Sequence, residues 1–224
     1  ENSAIVLYYI TTQMNFLHVM AHAAIDLLFP PRPTELKLGS TSLDSFFKMV
    51  ASRMIGRIEA LLPYERPEVQ ALVWELKYYD SKIASSYAGA ILAEHLRAVL
   101  AEEMLHKPLL IPIPLHERRL RERGYNQCER IALQTLEHLK GQVVVAPKAL
   151  ARTRNTKRQT ELTGAARKEN VKDAFAVPNK ELIQGKVCIL IDDVVTTGAT
   201  IMEARRALLE GGAAKVILIA LAYA

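Results

Sequence analysis

The sequence predicts an α/β protein with a mostly parallel central sheet flanked by helices. Three observations predict it. The runs LLIPIP (109–114), KVCILI (186–191) and AKVILIALA (214–222) are short and almost wholly apolar, as strands covered on both faces are. Amphipathic helix spacing separates them, over residues 126–139 and 199–209. Prolines and paired glycines (Pro112, Pro114, Gly211, Gly212) punctuate the ends.

The elements follow in order. Residues 4–29, AIVLYYITTQMNFLHVMAHAAIDLLF, are interrupted by Gln13, Asn15, His18, His22 and Asp26, and no basic residue precedes Arg32. That pattern fits neither a spanning helix nor a secretory leader. Phe16, Leu17, Met20, Ala24, Leu27 and Leu28 recur at helix spacing and predict an amphipathic helix that docks on this protein or a partner. Position 1 is Glu, and Met14 is the expected natural start, with residues 1–13 an upstream extension or fragment edge. FPPRPTELKLGSTS (29–42) reads as a linker. Ser42 or Asp44 is expected to cap a helix that runs to about Leu62, and Pro63–Pro67 breaks the chain again. Helices are predicted over Glu68–Tyr79 and Ser81–Leu105, with Trp74 assigned to packing beside Leu72, Val73 and Leu76. Residues 1–62 thus form a helical N-terminal region with a proline-rich linker, and residues 63–224 the main domain. LHERRLRERGYNQ (115–127) reads as a basic loop, and VVVAP and KALART as short strand material.

The most informative stretch is VCILIDDVVTTGAT (187–200), where a buried strand meets adjacent carboxylates, Asp192 and Asp193. In open parallel sheets ligands sit beyond the carboxyl ends of the strands. The segment Val195, Thr196, Thr197, Gly198, Ala199, Thr200 then leads into a helix, whose N-terminus offers unpaired N–H groups and partial positive charge to a phosphate. The acids would repel that phosphate, so they must face another part of the ligand. A ribose carrying a 5-phosphate supplies vicinal hydroxyls for the acids and a phosphate for the loop. No G-x-x-x-x-G-K-[ST] and no G-x-G-x-x-G occurs, which excludes P-loop and dinucleotide readings.

IDDVVTTGAT resembles the 5-phosphoribosyl-1-pyrophosphate (PRPP) motif of the type I phosphoribosyltransferases. IPIPLHERRLRERGYNQ resembles the signature of one branch, the ComF competence-protein family with its GntX-like members. AIDLLFPP, LKYYD (76–80), LARTRNTKRQTELTGAARKENVKDAF (150–175) and GGAAKVILIALA extend the likeness over most of the chain from about residue 24. The resemblance implies a type I phosphoribosyltransferase fold that binds PRPP together with Mg²⁺. It implies that Leu115, His116, Arg118 and Arg119 hold the pyrophosphate, with a cis peptide expected at Leu115–His116. Arg152 and Arg154 are expected to neutralise the leaving pyrophosphate, which places them with Asp192 and Asp193 as catalytic residues. Relatives carry Cys-x-x-Cys pairs after the LLFPP segment; PRPTELKLGS stands there with no cysteine, so the zinc module is absent from the pattern.

Residues 148–172 hold eight Lys or Arg against two Glu, an excess larger than the whole chain's net charge of +5. The resemblance makes this a loop that closes over PRPP. Lys157, Arg158, Arg167 and Lys168 within it are candidates for tracking a single-stranded DNA backbone, by charge more than by stacking. The two cysteines, Cys128 and Cys188, form no metal-ligand spacing and fit a reducing cytoplasm as free thiols. Two functions remain open. One is a PRPP-binding module of natural transformation on the cytoplasmic side, with single-stranded DNA and helicase or recombination proteins as partners. The other is an active phosphoribosyltransferase acting on a nitrogenous acceptor in nucleotide metabolism.

Overall fold

The computed structural model describes residues 31–154 and 171–224. Six strands form the main sheet in the order β1 (Arg53–Ile55), β2 (Ile58–Pro63), β8 (Lys215–Tyr223), β7 (Val187–Val195), β3 (Leu109–Pro112), β4 (Val144–Val145). Only the β1–β2 pair is antiparallel. The expected α/β class and mostly parallel sheet are therefore present.

Helices cover both faces. Helices α3 (Pro67–Tyr78), α4 (Lys82–Glu102) and α6 (Gln127–Leu139) pack on one, around Leu72, Leu76, Ile91, Leu96, Ile131, Ile189 and Ile219. Helix α7 (Ala199–Glu210) covers the other, around Ile58, Ile111, Leu190, Ile201, Leu208 and Leu218. A separate antiparallel ribbon, β5 (Ala151–Arg152) with β6 (Phe175–Ala176), sets Arg152 opposite Phe175. Among the described residues no helix is long and apolar enough to cross a membrane. The amphipathic segment predicted over residues 16–28 lies outside the described residues.

The expected helix to Leu62 is corrected. Ser42 does cap a helix, accepting a bond from Ser45 N, but that helix, α2 (Leu43–Met49), ends after seven residues. Residues 53–63 instead form a hairpin turning at Gly56, whose φ of +61° suits glycine. Its second strand pairs in parallel with β8. Position 62 is followed by 63 inside β2, so the sheet draws on residues either side of that point. The misreading has a physical source. Met54, Ile55, Ile58, Leu61 and Leu62 fall at helix spacing because an interior strand is apolar on both faces. A shorter helix, α1 (Pro33–Gly39), occupies part of the expected linker, and it is tied to α3. Glu75, buried on α3, accepts bonds from Arg32 Nη2 at 2.9 Å and Thr34 Oγ1 at 2.6 Å.

The segment read as a basic loop is also more ordered than expected. His116 caps helix α5 (Glu117–Arg123), its ring accepting from Arg118 N at 3.2 Å, and Gly124 ends it in a left-handed conformation. All described peptide bonds are trans, Leu115–His116 included, against the cis bond that the resemblance predicts. The trans form is favoured by about 2.5–4 kcal/mol when no proline follows.

Candidate functional site

Strand β7 does not stop at the acids. It runs on to Val195, paired with β8 throughout, while β3 leaves it at Ile191. Asp192 and Asp193 therefore lie on a strand that has lost one neighbour, at the carboxyl end of the sheet. Successive strand residues face opposite sides, and the contacts divide the pair accordingly. Asp193, only 4% exposed, turns toward α3 and α6. Its Oδ2 accepts from Gln127 Nε2 at 2.9 Å and lies 3.3 Å from Lys77 Nζ. Asp192 is half-buried, and its Oδ1 accepts from Asp193 N at 2.9 Å with the Cys128 thiol 3.7 Å away.

A cavity of about 490 Å³ opens over these acids. Asp192, Asp193, Val194 and Thr200 line it, with Leu115, Arg119, Arg123 and Arg152 and with Lys77, Tyr78 and Gln127. Burial, reinforced by the charge of Asp193, raises the Asp192 carboxyl to about 7, against the pull of Lys77 and Arg152. Burial works to lower the Lys77 ammonium, but the two carboxylates outweigh it and the net is a raised value. Arg152 is lowered to about 10 by burial and by Arg119 nearby, with Asp192 opposing; it stays charged at neutral pH. Burial holds the Cys128 thiol well above its usual range, reinforced by both acids, so it faces Asp192 as a neutral S–H group.

The loop after β7 has the expected form. Val195 is buried, Thr196 and Thr197 are exposed, and Gly198 and Ala199 are buried at the start of α7. Gly198 has φ +74°, and a Cβ there would meet Ile58 Cδ1 at 2.4 Å. Glycine is thus demanded twice, by backbone and by space. The N-cap residue of α7 is this glycine, so the cap itself brings no side chain to the helix's first N–H groups. Thr200 faces the main cavity, while Thr196 lines a smaller adjoining hollow with Arg53, Tyr64 and Tyr223.

The structure sorts the remaining candidates. Leu115 and Arg119 line the cavity; His116 serves as a helix cap, and Arg118 pairs with Glu122 at 2.9 Å on the exposed side of α5. Arg152 lines the cavity, but Arg154 is exposed and donates to the Lys172 carbonyl. Lys157, Arg158, Arg167 and Lys168 lie outside the described residues.

Sequence reasoning gave Gln127 and Arg123 no role in the site, and weighed Lys77, within LKYYD, as packing ahead of a contact to ligand or to the basic loop. Their placement depends on α3 and α5–α6 being clamped together. Tyr125 Oη donates to Leu76 O at 2.9 Å and accepts from Asp80 N at 2.8 Å. Arg130 grips Asp80 through two bonds of 2.9 and 2.8 Å. The signal was there in LKYYD and RGYNQ, which carry these groups, but spacing alone does not bring them together.

The phosphoribosyl transferase domain family matches residues 123–224. DNA utilization protein YhgH of Escherichia coli (strain K12) is 36% identical over 152 residues, covering 67% of this chain and 65% of that protein. Competence protein F of Haemophilus influenzae is 33% identical over 117 residues, covering 51% of this chain and 50% of that protein. The chain thus spans about 65% of the length of its YhgH relatives. Glutamine PRPP amidotransferase from B. subtilis aligns at 19% identity with a TM-score of 0.41, covering 64% of this chain and 29% of that one. A phosphoribosyltransferase from Corynebacterium diphtheriae aligns at 17% with a TM-score of 0.38, covering 82% and 80%.

The chain therefore carries a phosphoribosyl transferase domain of type I. More particularly, its likeness to YhgH and to competence protein F supports a protein of the ComF type.

Proposed function

We propose that this protein binds PRPP in the cavity over Asp192 and serves DNA utilization or uptake, the role for which its relatives are named. One observation carries the reading: the acid Asp192, Thr200 at the start of α7 and three arginines, Arg119, Arg123 and Arg152, line one hollow at the carboxyl end of a parallel sheet. Thr200 and the first N–H groups of α7 would take the 5-phosphate, and Asp192 the ribose hydroxyls. Arg119 and Arg152 would take the pyrophosphate, because guanidinium groups grip phosphate oxygens in pairs. Asp193 acts at one remove: held by Lys77 and Gln127, it fixes the strand end and sets the field around Asp192.

Mg²⁺ enters as part of the substrate, Mg-PRPP. Among the described residues no group of three or more His, Cys, Asp or Glu lies together. Mg²⁺ characteristically keeps several waters and uses one or two carboxylates plus substrate phosphates, and Asp192 suits that arrangement. The DNA arm of the reading rests on the relatives' names and on the one-sided charge of residues 148–172.

The test is calorimetric titration. Mg-PRPP should bind the wild type and fail to bind a variant combining Asp192→Ala with Asp193→Ala. Equal binding of inorganic pyrophosphate and PRPP would overturn the pocket. Pyrophosphate release that depends on an added nitrogen nucleophile would assign the protein to catalysis; PRPP binding without release would assign it to ligand sensing.

A further inference from the structure

Helix α3 buries Val69, Leu72, Val73 and Leu76 as one stripe, which leaves Trp74 and Tyr78, one turn apart, on its outward face. The packing role expected for Trp74 is thereby corrected: it is 45% exposed and Tyr78 is 51% exposed. Their ring centroids lie 4.5 Å apart, tilted by 48°. The Arg123 guanidinium sits 5.8 Å from the Tyr78 centroid and is held from its other side by the Gln127 side chain. Tyr78 and Arg123 line the cavity over Asp192, and Trp74, which does not line it, packs its ring against Tyr78. Helix α5, with four arginines against two glutamates, flanks the row.

We infer that Trp74, Tyr78 and Arg123 form a stacking platform for successive unpaired bases of single-stranded DNA beside this cavity. The inference rests on the DNA arm of the proposed function and gives it a site outside the basic segment. Three features favour a strand over a free base. The row holds two rings in series, it lies open on the surface where a small base would need enclosure, and the Arg123 guanidinium stands beside it, where a phosphate backbone would pass. Stacked bases accept any sequence, because every base has a π-face, and a guanidinium beside the ring adds cation–π attraction.

Trp74 is the chain's single tryptophan, so its fluorescence reports on the platform alone. The full chain is titrated with oligo(dT), with an abasic oligonucleotide of equal length, and with free thymidine. Oligo(dT) should quench Trp74 and bind about tenfold tighter than the abasic strand, the usual scale of one or two stacked bases. Tyr78→Ala should weaken oligo(dT) binding about tenfold and leave the abasic strand unaffected. Trp74→Ala, followed by anisotropy of a labelled strand, should do the same and leave Mg-PRPP binding unchanged. Wild-type binding of oligo(dT) that ignores both substitutions overturns the platform alone. Thymidine quenching at the affinity of the oligonucleotide also overturns it, in favour of a free-base site. A wild type that binds no oligonucleotide overturns the platform and the DNA arm together, while Mg-PRPP titration reports on the pocket independently.

Discussion

Lys77 Nζ lies 3.3 Å from Asp193 Oδ2, joining helix α3 to the carboxyl end of β7 in the lining of the cavity. The carboxylate is nearly sealed, and its other partners, the Gln127 amide and the Val194 N–H at 2.6 Å, are neutral. Removing the ammonium would strand a buried charge beside Asp192. Lys77→Met should therefore destabilise the fold by about 3 kcal/mol, while Lys77→Met with Asp193→Asn should recover most of the loss. Urea unfolding of the four species in a double-mutant cycle measures this. A coupling below about 0.5 kcal/mol would mean the pair contributes no more than an exposed one.

The Asp192 carboxyl, raised to about 7, gives two pH effects of opposite sense. Ligand binding through an ionised Asp192 strengthens as pH rises through about 7, so Mg-PRPP affinity should be higher at pH 8 than at pH 6, and Asp192→Asn should flatten that difference. Stability runs the other way. An unfolded aspartate titrates near ~3.9, so between that value and about 7 the folded state holds the extra proton. Stability of the unliganded protein is then greatest below the unfolded value and falls as pH rises toward about 7. Asp192→Asn should be more stable than wild type at pH 8 by about 1–2 kcal/mol, a figure held down by the water the cavity admits. Thermal melts of both proteins at pH 5 and pH 8 check the sign.

Gly198→Ala should be costly in two ways. Its φ of +74° strains any side chain, and the new Cβ would press on Ile58. A loss of about 1–2 kcal/mol in stability is expected, with a larger loss of Mg-PRPP affinity because the α7 start is displaced. Chemical denaturation and calorimetry on one preparation separate the two.

The four arginines expected at the pyrophosphate should divide cleanly. Arg119→Ala and Arg152→Ala should each weaken Mg-PRPP binding tenfold or more, since bonds to a charged group are worth about 1.5–3 kcal/mol. Arg118→Ala and Arg154→Ala should leave it within about twofold, because one pairs with Glu122 and the other with the Lys172 carbonyl, both on exposed surface. Equal effects from all four would show that the surface charge acts as a whole.

The strand–loop–helix around Asp192 was legible because each part has a local cause: an apolar run, a glycine with positive φ, and a helix start at that glycine. The strands LLIPIP and AKVILIALA were legible for the same reason. Strand β2 was not, because an interior strand flanked by helix-forming residues presents the same apolar spacing as a helix. Neither was the division of labour between the two acids. It depends on Lys77 and Gln127, far away in sequence, meeting Asp193 once α3 and α6 have packed. Trp74 could have been placed correctly: a stripe through 69, 72, 73 and 76 already puts it on the other side of the helix.

The most direct measurement of the central claim is a crystal structure with Mg-PRPP bound. The account predicts the 5-phosphate within hydrogen-bond distance of backbone N–H groups in residues 197–200, and the ribose hydroxyls on Asp192. PRPP lodged elsewhere, with Asp192 turned away from the sugar, would contradict it.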